Sequence, residues 1–267
     1  MIKVAIIGGT GVYDPNILNN VYQEEIPTPY GVVKFRVGEF AGEKVAFIPR
    51  HGSSHAIPPH LINYRANIWA MKKVGVQSII ATTAVGSLNL TMKPGDFVLV
   101  DQFLDFTKNR INTFFDGGTR GVVHVDLTDP YCPVLRDKLS KAAKKANISI
   151  HQSGTYVCTE GPRFETPAEI KMFQNMGGDL VGMTNVPEAV LAREAEMCYA
   201  TVSMVTNFGA GISASPLTHS EVVDTMGANS ENIKKLIMAA IEEISIGLEP
   251  KECCCHTALA EYGGFKL

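Results

Sequence analysis

Residues 180–207, LVGMTNVPEAVLAREAEMCYATVSMVTN, constrain this chain more than any other stretch. The first residues are apolar enough for a buried strand. Pro187 then stands where a first helical turn tolerates it, with Glu188 beside it at the positive end of the helix dipole. Ala189, Val190, Ala192 and Ala195 continue a helix, and residues 199–205 form a second apolar, β-branched run suited to a strand covered on both faces. Strand, helix, strand predicts a parallel pair joined by a right-handed crossover. Met183-Thr184-Asn185 and Thr206-Asn207 then lie just beyond the carboxyl ends of two strands, the edge at which open α/β sheets bind ligands. The expectation is that these two tips hold the two halves of one substrate.

The rest of the chain supplies a core large enough for such a sheet. It has 267 residues, of which 45% are apolar. No repeat, linker or compositional break divides it, so residues 1–248 read as one unit and 249–267 as a short tail belonging to it. A formal net charge of −3 gives no reason to expect nucleic acid or a membrane surface as partner. No apolar run is long enough for a membrane-spanning helix. The N-terminal MIKVAIIGGTG meets glycine after a short apolar run and reads as a first core strand, not a signal peptide. Cys132, Cys158 and Cys198 are scattered in apolar surroundings, and Cys253, Cys254 and Cys255 are adjacent, a usage that suits a reducing cytosol. Adjacent thiols have poor geometry for tetrahedral chelation, so the Cys-Cys-Cys-His run is not expected to bind metal.

Three further strand tips carry polar residues. Residues 3–7 end at Gly8-Gly9-Thr10-Gly11, which offers backbone N–H groups and a hydroxyl to an anion. A dinucleotide fingerprint is incomplete there, because Tyr13 and Asp14 stand where the third glycine should fall. Residues 32–40 and 44–49 predict a hairpin, and its second strand ends in Arg50-His51-Gly52. A guanidinium fork matches phosphate oxygens, although a surface arginine beside a turn histidine is the plain alternative. His51, His55 and His60 straddle Pro58-Pro59 with no local cysteine or carboxylate, which argues against a metal site. Residues 78–83 run into Thr82-Thr83-Ala84-Val85-Gly86-Ser87.

Helices are expected over residues 63–74, 133–146 and 168–176, and from a Thr218/Glu221 capping box to about residue 247. Between them, residues 101–120 look irregular and aromatic, suited to closing over a ligand or packing on a neighbouring subunit. Residues 159–167, TEGPRFETP, form a loop pinned by two prolines. Glu165 there reads either as a ligand group or as an acid favouring the following helix dipole.

Together IIGGTG, PRHG, ATTAVGSL, PGD, TEGPRFET.AE and VGMT.VPE.VLARE resemble the trimeric branch of the purine nucleoside phosphorylases, which also contains methylthioadenosine phosphorylase. The likeness spans nearly the whole chain. It implies a single α/β domain around a central mixed sheet, partly barrel-like and flanked by helices, in a cytoplasmic homotrimer or dimer of trimers. It also implies reversible phosphorolysis of a purine nucleoside to base and ribose 1-phosphate in purine salvage. Phosphate is the co-substrate, and neither a metal nor an organic cofactor is expected.

By motif position, Thr10, Arg50, His51, Thr83, Ala84 (through its N–H) and Thr184 match phosphate contacts. Met183 matches the residue under the ribose hydroxyls, and Phe164 the wall beside the base. Asn207 matches the group at purine N7. With His51 it is the expected catalytic pair. His219 falls where the ribose 5′-hydroxyl is met, and His124 resembles a residue that reaches a neighbouring subunit's 5′ pocket.

Position 207 bears on base choice. The methylthioadenosine enzymes carry Asp there and again two residues on, where this chain has Asn207 and Gly209. The 6-oxopurine enzymes carry Asn there and Glu after the loop phenylalanine, as Asn207 and Glu165 do here. A carboxylate accepts from N1–H, and an amide donates to N7. Inosine and guanosine are therefore the expected substrates. Methylthioinosine or methylthioadenosine is the alternative, with Val222, Val223 and Met226 as an apolar 5′ pocket. An NAD(P)-dependent oxidoreductase, the reading from another class, lacks its glycine fingerprint.

Overall fold

The structure is a computed structural model that describes residues 2–9, 18–52, 54, 56–213, 219–245 and 253–267, without the side chains of residues 219 and 221. In chain order it has strands β1 (Val4–Gly8), β2 (Asn19–Thr28), β3 (Gly31–Phe40) and β4 (Glu43–Pro49), then helix α1 (Tyr64–Lys73). Strands β5 (Ser78–Ser87), β6 (Phe97–Leu99) and β7 (Gln102–Phe106) precede α2 (Pro133–Lys145), β8 (Ile150–His151) and β9 (Thr155–Thr159). Then come α3 (Pro167–Asn175), β10 (Leu180–Gly182), α4 (Asn185–Glu194), β11 (Cys198–Phe208) and α5 (His219–Ser245).

Local rules account for the helix starts. The Asn63 side chain accepts from the Ala66 N–H at 3.1 Å to cap α1. Pro133 and Pro167 occupy first turns, where a missing N–H costs nothing. Thr166 and Glu169 close a capping box on α3.

One mixed sheet of eleven strands runs β2-β3-β4-β1-β5-β10-β9-β7 and forks at β5, from which β11, β6 and β8 continue. Residues of β1 alternate between two cores. Ala5 and Ile7 pack with α1 and α4, whereas Val4 and Ile6 pack with α2 and α5. The α/β layering expected from the apolar runs is thus present, with helices on both faces. A smaller cluster of Leu88, Val157, Ile170, Phe173 and Val181 seats α3. Among the described residues no helix is long and apolar enough to cross a membrane.

The topology corrects one expectation. β10 and β11 are not partners; both pair with β5, β10 antiparallel and β11 parallel. β1 covers only residues 78–81 of the ten-residue β5, so Gly86 and Ser87 are left open for β10. Residues 102–106 are not irregular but pair parallel with β9. The exposed, charged β2 carries no apolar signal and went unanticipated.

Candidate active site

β5, the turn after β10, the bulged end of β11 and the first turns of α5 enclose a cavity of about 600 Å³, within the size range of small-molecule sites. It gathers residues from all the polar tips singled out above: Gly9, Arg50 and His51, Thr83 and Ala84, Met183 and Thr184, and Thr206 and Asn207. Phe164 and Glu165 join them from the loop after β9, and Val222, Val223 and Met226 from α5.

At one end β11 gains an extra residue, because Val205 faces Val85 while Asn207 faces Gly86. Bulges of this kind re-aim side chains at sheet edges. The Thr206 hydroxyl donates to Asn207 Oδ1 at 2.7 Å, and Asn207 Nδ2 donates to the Phe208 carbonyl at 2.8 Å. A reversed amide would oppose two carbonyl oxygens, so the orientation is set. Nδ2 keeps a second hydrogen to give to a ligand. Gly86 makes the room, since a Cβ there would stand 3.1 Å from Asn207 Nδ2.

Glu165 accepts from the Thr159 hydroxyl at 2.7 Å. Burial lifts its carboxyl above the usual carboxylate range, an effect that the Thr159 bond partly opposes. Glu169, not Glu165, caps α3 and pairs with Arg163 at 2.7 Å. The dipole reading therefore belongs to Glu169, and Glu165 faces the cavity.

Arg50 departs from expectation. Its guanidinium is only 2% exposed and is directed at Glu188, with Nε and Nη2 each 2.8 Å from a carboxylate oxygen. Nη1 donates to the Thr82 carbonyl at 2.9 Å and Nη2 to Ile7 at 3.2 Å. Of five N–H groups, one on Nη1 is left over. The fork expected for phosphate is occupied by Glu188, because a buried cation must be paired. Glu188, read from sequence as a dipole acid, also accepts from the Tyr199 hydroxyl at 2.8 Å.

The remaining phosphate candidates lie around it. Ala84 is the single exposed residue of β5, and it lies between the part of β5 paired with β1 and the part paired with β10. The Thr83 hydroxyl is 2.8 Å from that of Ser203. The buried Thr184 N–H donates to the Tyr156 hydroxyl at 3.3 Å. His51 Nδ1 lies 2.8 Å from the Ile57 carbonyl and is the donor in that contact, which fixes the ring with Nε2 at its other end. Met183 is pinned against Gly161, where a Cβ would lie 2.6 Å from its sulfur.

Thr10 and the His219 side chain lie outside the described residues. His124 does not join the others. It is exposed and away from the cavity of its own chain, its N–H 3.4 Å from the Tyr262 hydroxyl.

Sequence reasoning missed Arg110. Its side chain is buried, and Nη1 donates to the carbonyls of Met183 and Val186 at 2.7 Å each. Nη2 donates to Glu160 at 2.8 Å and Thr159 at 3.1 Å. It thereby staples the turn after β10 to the loop that carries Phe164 and Glu165. It is one of three cations in residues 101–120, with Lys108 and Arg120, and nothing in the sequence singles it out.

Residues 3–242 match the profile of the Phosphorylase superfamily. A probable 6-oxopurine nucleoside phosphorylase of Dictyoglomus turgidum is 57% identical over 262 residues, covering 97% of each chain. A 6-oxopurine nucleoside phosphorylase of Pyrococcus furiosus is 56% identical over 266 residues, covering 97% of this chain and 98% of its own. Among solved structures, a methylthioadenosine phosphorylase from an antarctic soil metagenomic library superposes with a TM-score of 0.91 at 41% identity, covering 97% of this chain and 91% of its own. The chain belongs to the phosphorylase superfamily.

Proposed function

We propose that this protein catalyses the reversible phosphorolysis of 6-oxopurine nucleosides, inosine and guanosine, to the free purine and ribose 1-phosphate, in purine salvage. One observation carries the choice of base. The Asn207 amide has its orientation set by the Phe208 carbonyl, and it shares a cavity with the carboxylate of Glu165. A purine with N7 as acceptor and N1–H as donor complements that pair. Adenine, which lacks N1–H, gives Glu165 no donor beyond the Thr159 hydroxyl. An unmatched buried polar group costs about 1–3 kcal/mol, which is discrimination of about 5- to 150-fold. The 56–57% identical relatives named for 6-oxopurine nucleosides agree with this reading.

In the reaction the C1′–N9 bond breaks, the purine takes up a proton or hydrogen bond at N7, and a phosphate oxygen bonds to C1′. Positive charge grows on ribose and negative charge on the base. Asn207 Nδ2–H meets the base charge. Phosphate, held by the Ala84 N–H, the Thr83 and Thr184 hydroxyls and His51, balances the sugar. Such fixed donors act without reorganisation at the moment of reaction. Arg50 contributes a single N–H and mainly holds the β4 tip to α4 through Glu188. The reading needs phosphate as co-substrate and no cofactor. It includes a cytoplasmic homotrimer or dimer of trimers, with His124 offered to a neighbouring subunit.

A second reading has its own observation. Val222, Val223 and Met226 line the α5 side of the cavity and would suit a 5′-methylthio group. A panel of inosine, guanosine, adenosine, methylthioadenosine and methylthioinosine, each with and without phosphate, tests both. Phosphate-dependent turnover of inosine and guanosine above the rest is expected. Phosphate-independent cleavage would sink the phosphorylase reading, and preference for adenosine would sink the Asn207/Glu165 argument.

A further inference from the structure

Cys132 caps α2 and Cys198 opens β11, while the C-terminal tail brings Cys253 and Cys255 beside them. The four sulfur atoms all lie within 4.8 Å of one another, with Cys198 and Cys253 at 3.4 Å. The objection to adjacent thiols is met by the local backbone. Cys253 is extended, with φ −142° and ψ 159°, and a 3-10 turn begins at Cys254. Cys254 is thereby exposed, its sulfur 3.5 Å from Arg193 Nη1, while Cys255 is buried in the cluster. The converging pair is two residues apart, not adjacent.

We propose that Cys132, Cys198, Cys253 and Cys255 bind one zinc ion in a closed structural site that fastens the C-terminal tail to the sheet. Zinc–sulfur bonds of about 2.3 Å put tetrahedral sulfurs about 3.8 Å apart. Two disulfides side by side, each about 2.05 Å between its sulfurs, are the competing arrangement that the test below separates from the metal site. Soft thiolates select zinc over harder cations, and four of them leave no position open for water or substrate.

The surroundings suit a tetrathiolate complex of net charge −2. The Leu135 N–H donates to Cys132 Sγ at 3.5 Å, at the positive end of α2. His256 Nε2 is 3.5 Å from Cys198 Sγ, and its Nδ1 is 3.2 Å from the Glu196 carbonyl. Such outer contacts orient and tune metal ligands. Arg193 adds positive charge beside the cluster.

Among the described residues the tail is otherwise held by a buried Leu259 and contacts from a few residues of the main body. The N–H groups of Leu259 and Phe265 reach the Glu196 carboxylate at 3.1 and 3.0 Å, and Phe265 packs on Phe114 and Phe115. Cys198 is at the opposite end of β11 from Asn207, about 30 Å away at strand rise. The site is therefore separate from the cavity.

The test uses the full chain, expressed with zinc, purified under reductant and assayed for metal by mass spectrometry. One zinc per chain is expected, unchanged in Cys254→Ser and reduced about tenfold or more in Cys253→Ser after dialysis against chelator. Cobalt added to the chelator-stripped wild type should give the sulfur-to-metal charge-transfer bands of a tetrahedral tetrathiolate. That measurement decides the matter even if Cys253→Ser does not fold. A protein that takes up neither metal, that carries iron instead, or whose non-reducing peptide map joins these four cysteines in disulfides would overturn the proposal.

Discussion

Replacing Asn207 by Asp tests the base-recognition argument most directly. The Asn207 Nδ2 hydrogen bonded to Phe208 O at 2.8 Å would be replaced by an oxygen facing a carbonyl. The position is only 4% exposed, so an ionised carboxylate there keeps the Thr206 hydroxyl for one oxygen and sets the other, without a donor, against the Phe208 carbonyl. The acid therefore keeps its proton, and that one hydrogen must choose between Phe208 and purine N7. One bond to N7 weakens and one buried carbonyl is left half-satisfied. At about 1–1.5 kcal/mol each, kcat/KM for inosine falls about 30- to 150-fold. Adenosine loses the same bond at N7 but gains an acceptor for its 6-amino group, which returns about 1 kcal/mol. The ratio of inosine to adenosine kcat/KM should thus fall about five- to tenfold, read from initial rates at saturating phosphate. An unchanged ratio would show that the base is discriminated elsewhere and that the fixed amide is only structural.

The same geometry yields three further expectations. Burial raises the Glu165 carboxyl, so the ionised acceptor is lost as pH falls through a value above the ordinary carboxylate pKa of about 4.3. The acid limb of kcat/KM for inosine should lie at that raised value, and Glu165→Gln should flatten it while raising KM about tenfold. Glu188→Ala leaves the Arg50 guanidinium buried and unpaired and should cost about 3–5 kcal/mol in urea unfolding. The double change R50M/E188L should recover most of that stability without recovering phosphorolysis; a double variant no more stable than E188A would refute the pairing argument. Gly86→Ala places a Cβ 3.1 Å from both Asn207 Nδ2 and Val181 Cγ1, so kcat/KM should drop about tenfold for a stability loss of about 1 kcal/mol.

Much of this site was legible in the sequence because its residues sit on strand tips, and buried strands announce themselves as short apolar runs. Thr83, Ala84, Met183, Thr184 and Asn207 were placed that way, and the structure gathers them. What pattern could not supply was pairing at a distance. Arg50 and Glu188 are 138 residues apart, and nothing in either neighbourhood says that each satisfies the other. Arg110 was hidden in a stretch read as irregular, since β7 alternates too weakly to show. The four gathered cysteines were invisible for the same reason, because Cys132 and Cys198 look like ordinary core thiols until the tail is folded back on them. Strand direction was also unreadable, as the apolar run 180–182 fits either orientation.

That last error changes how the cavity is built. A parallel neighbour of β11 would have set two tips side by side at the same level. Instead β10 runs antiparallel along β5 and meets it at Gly86, the residue that also faces Asn207 across the bulge of β11. From Gly86 the chain after β10 heads toward the start of β5, and Met183 and Thr184 line the same cavity as Ala84 and Thr83 while Asn207 stays at Gly86. Two residues of strand rise separate these levels, about 7 Å. On the proposed reading this offset separates the phosphate level from the purine level. On the proposed reading the fork at β5, not a crossover, sets the spacing between the phosphate and purine halves of the cavity, with Gly86 as its pivot.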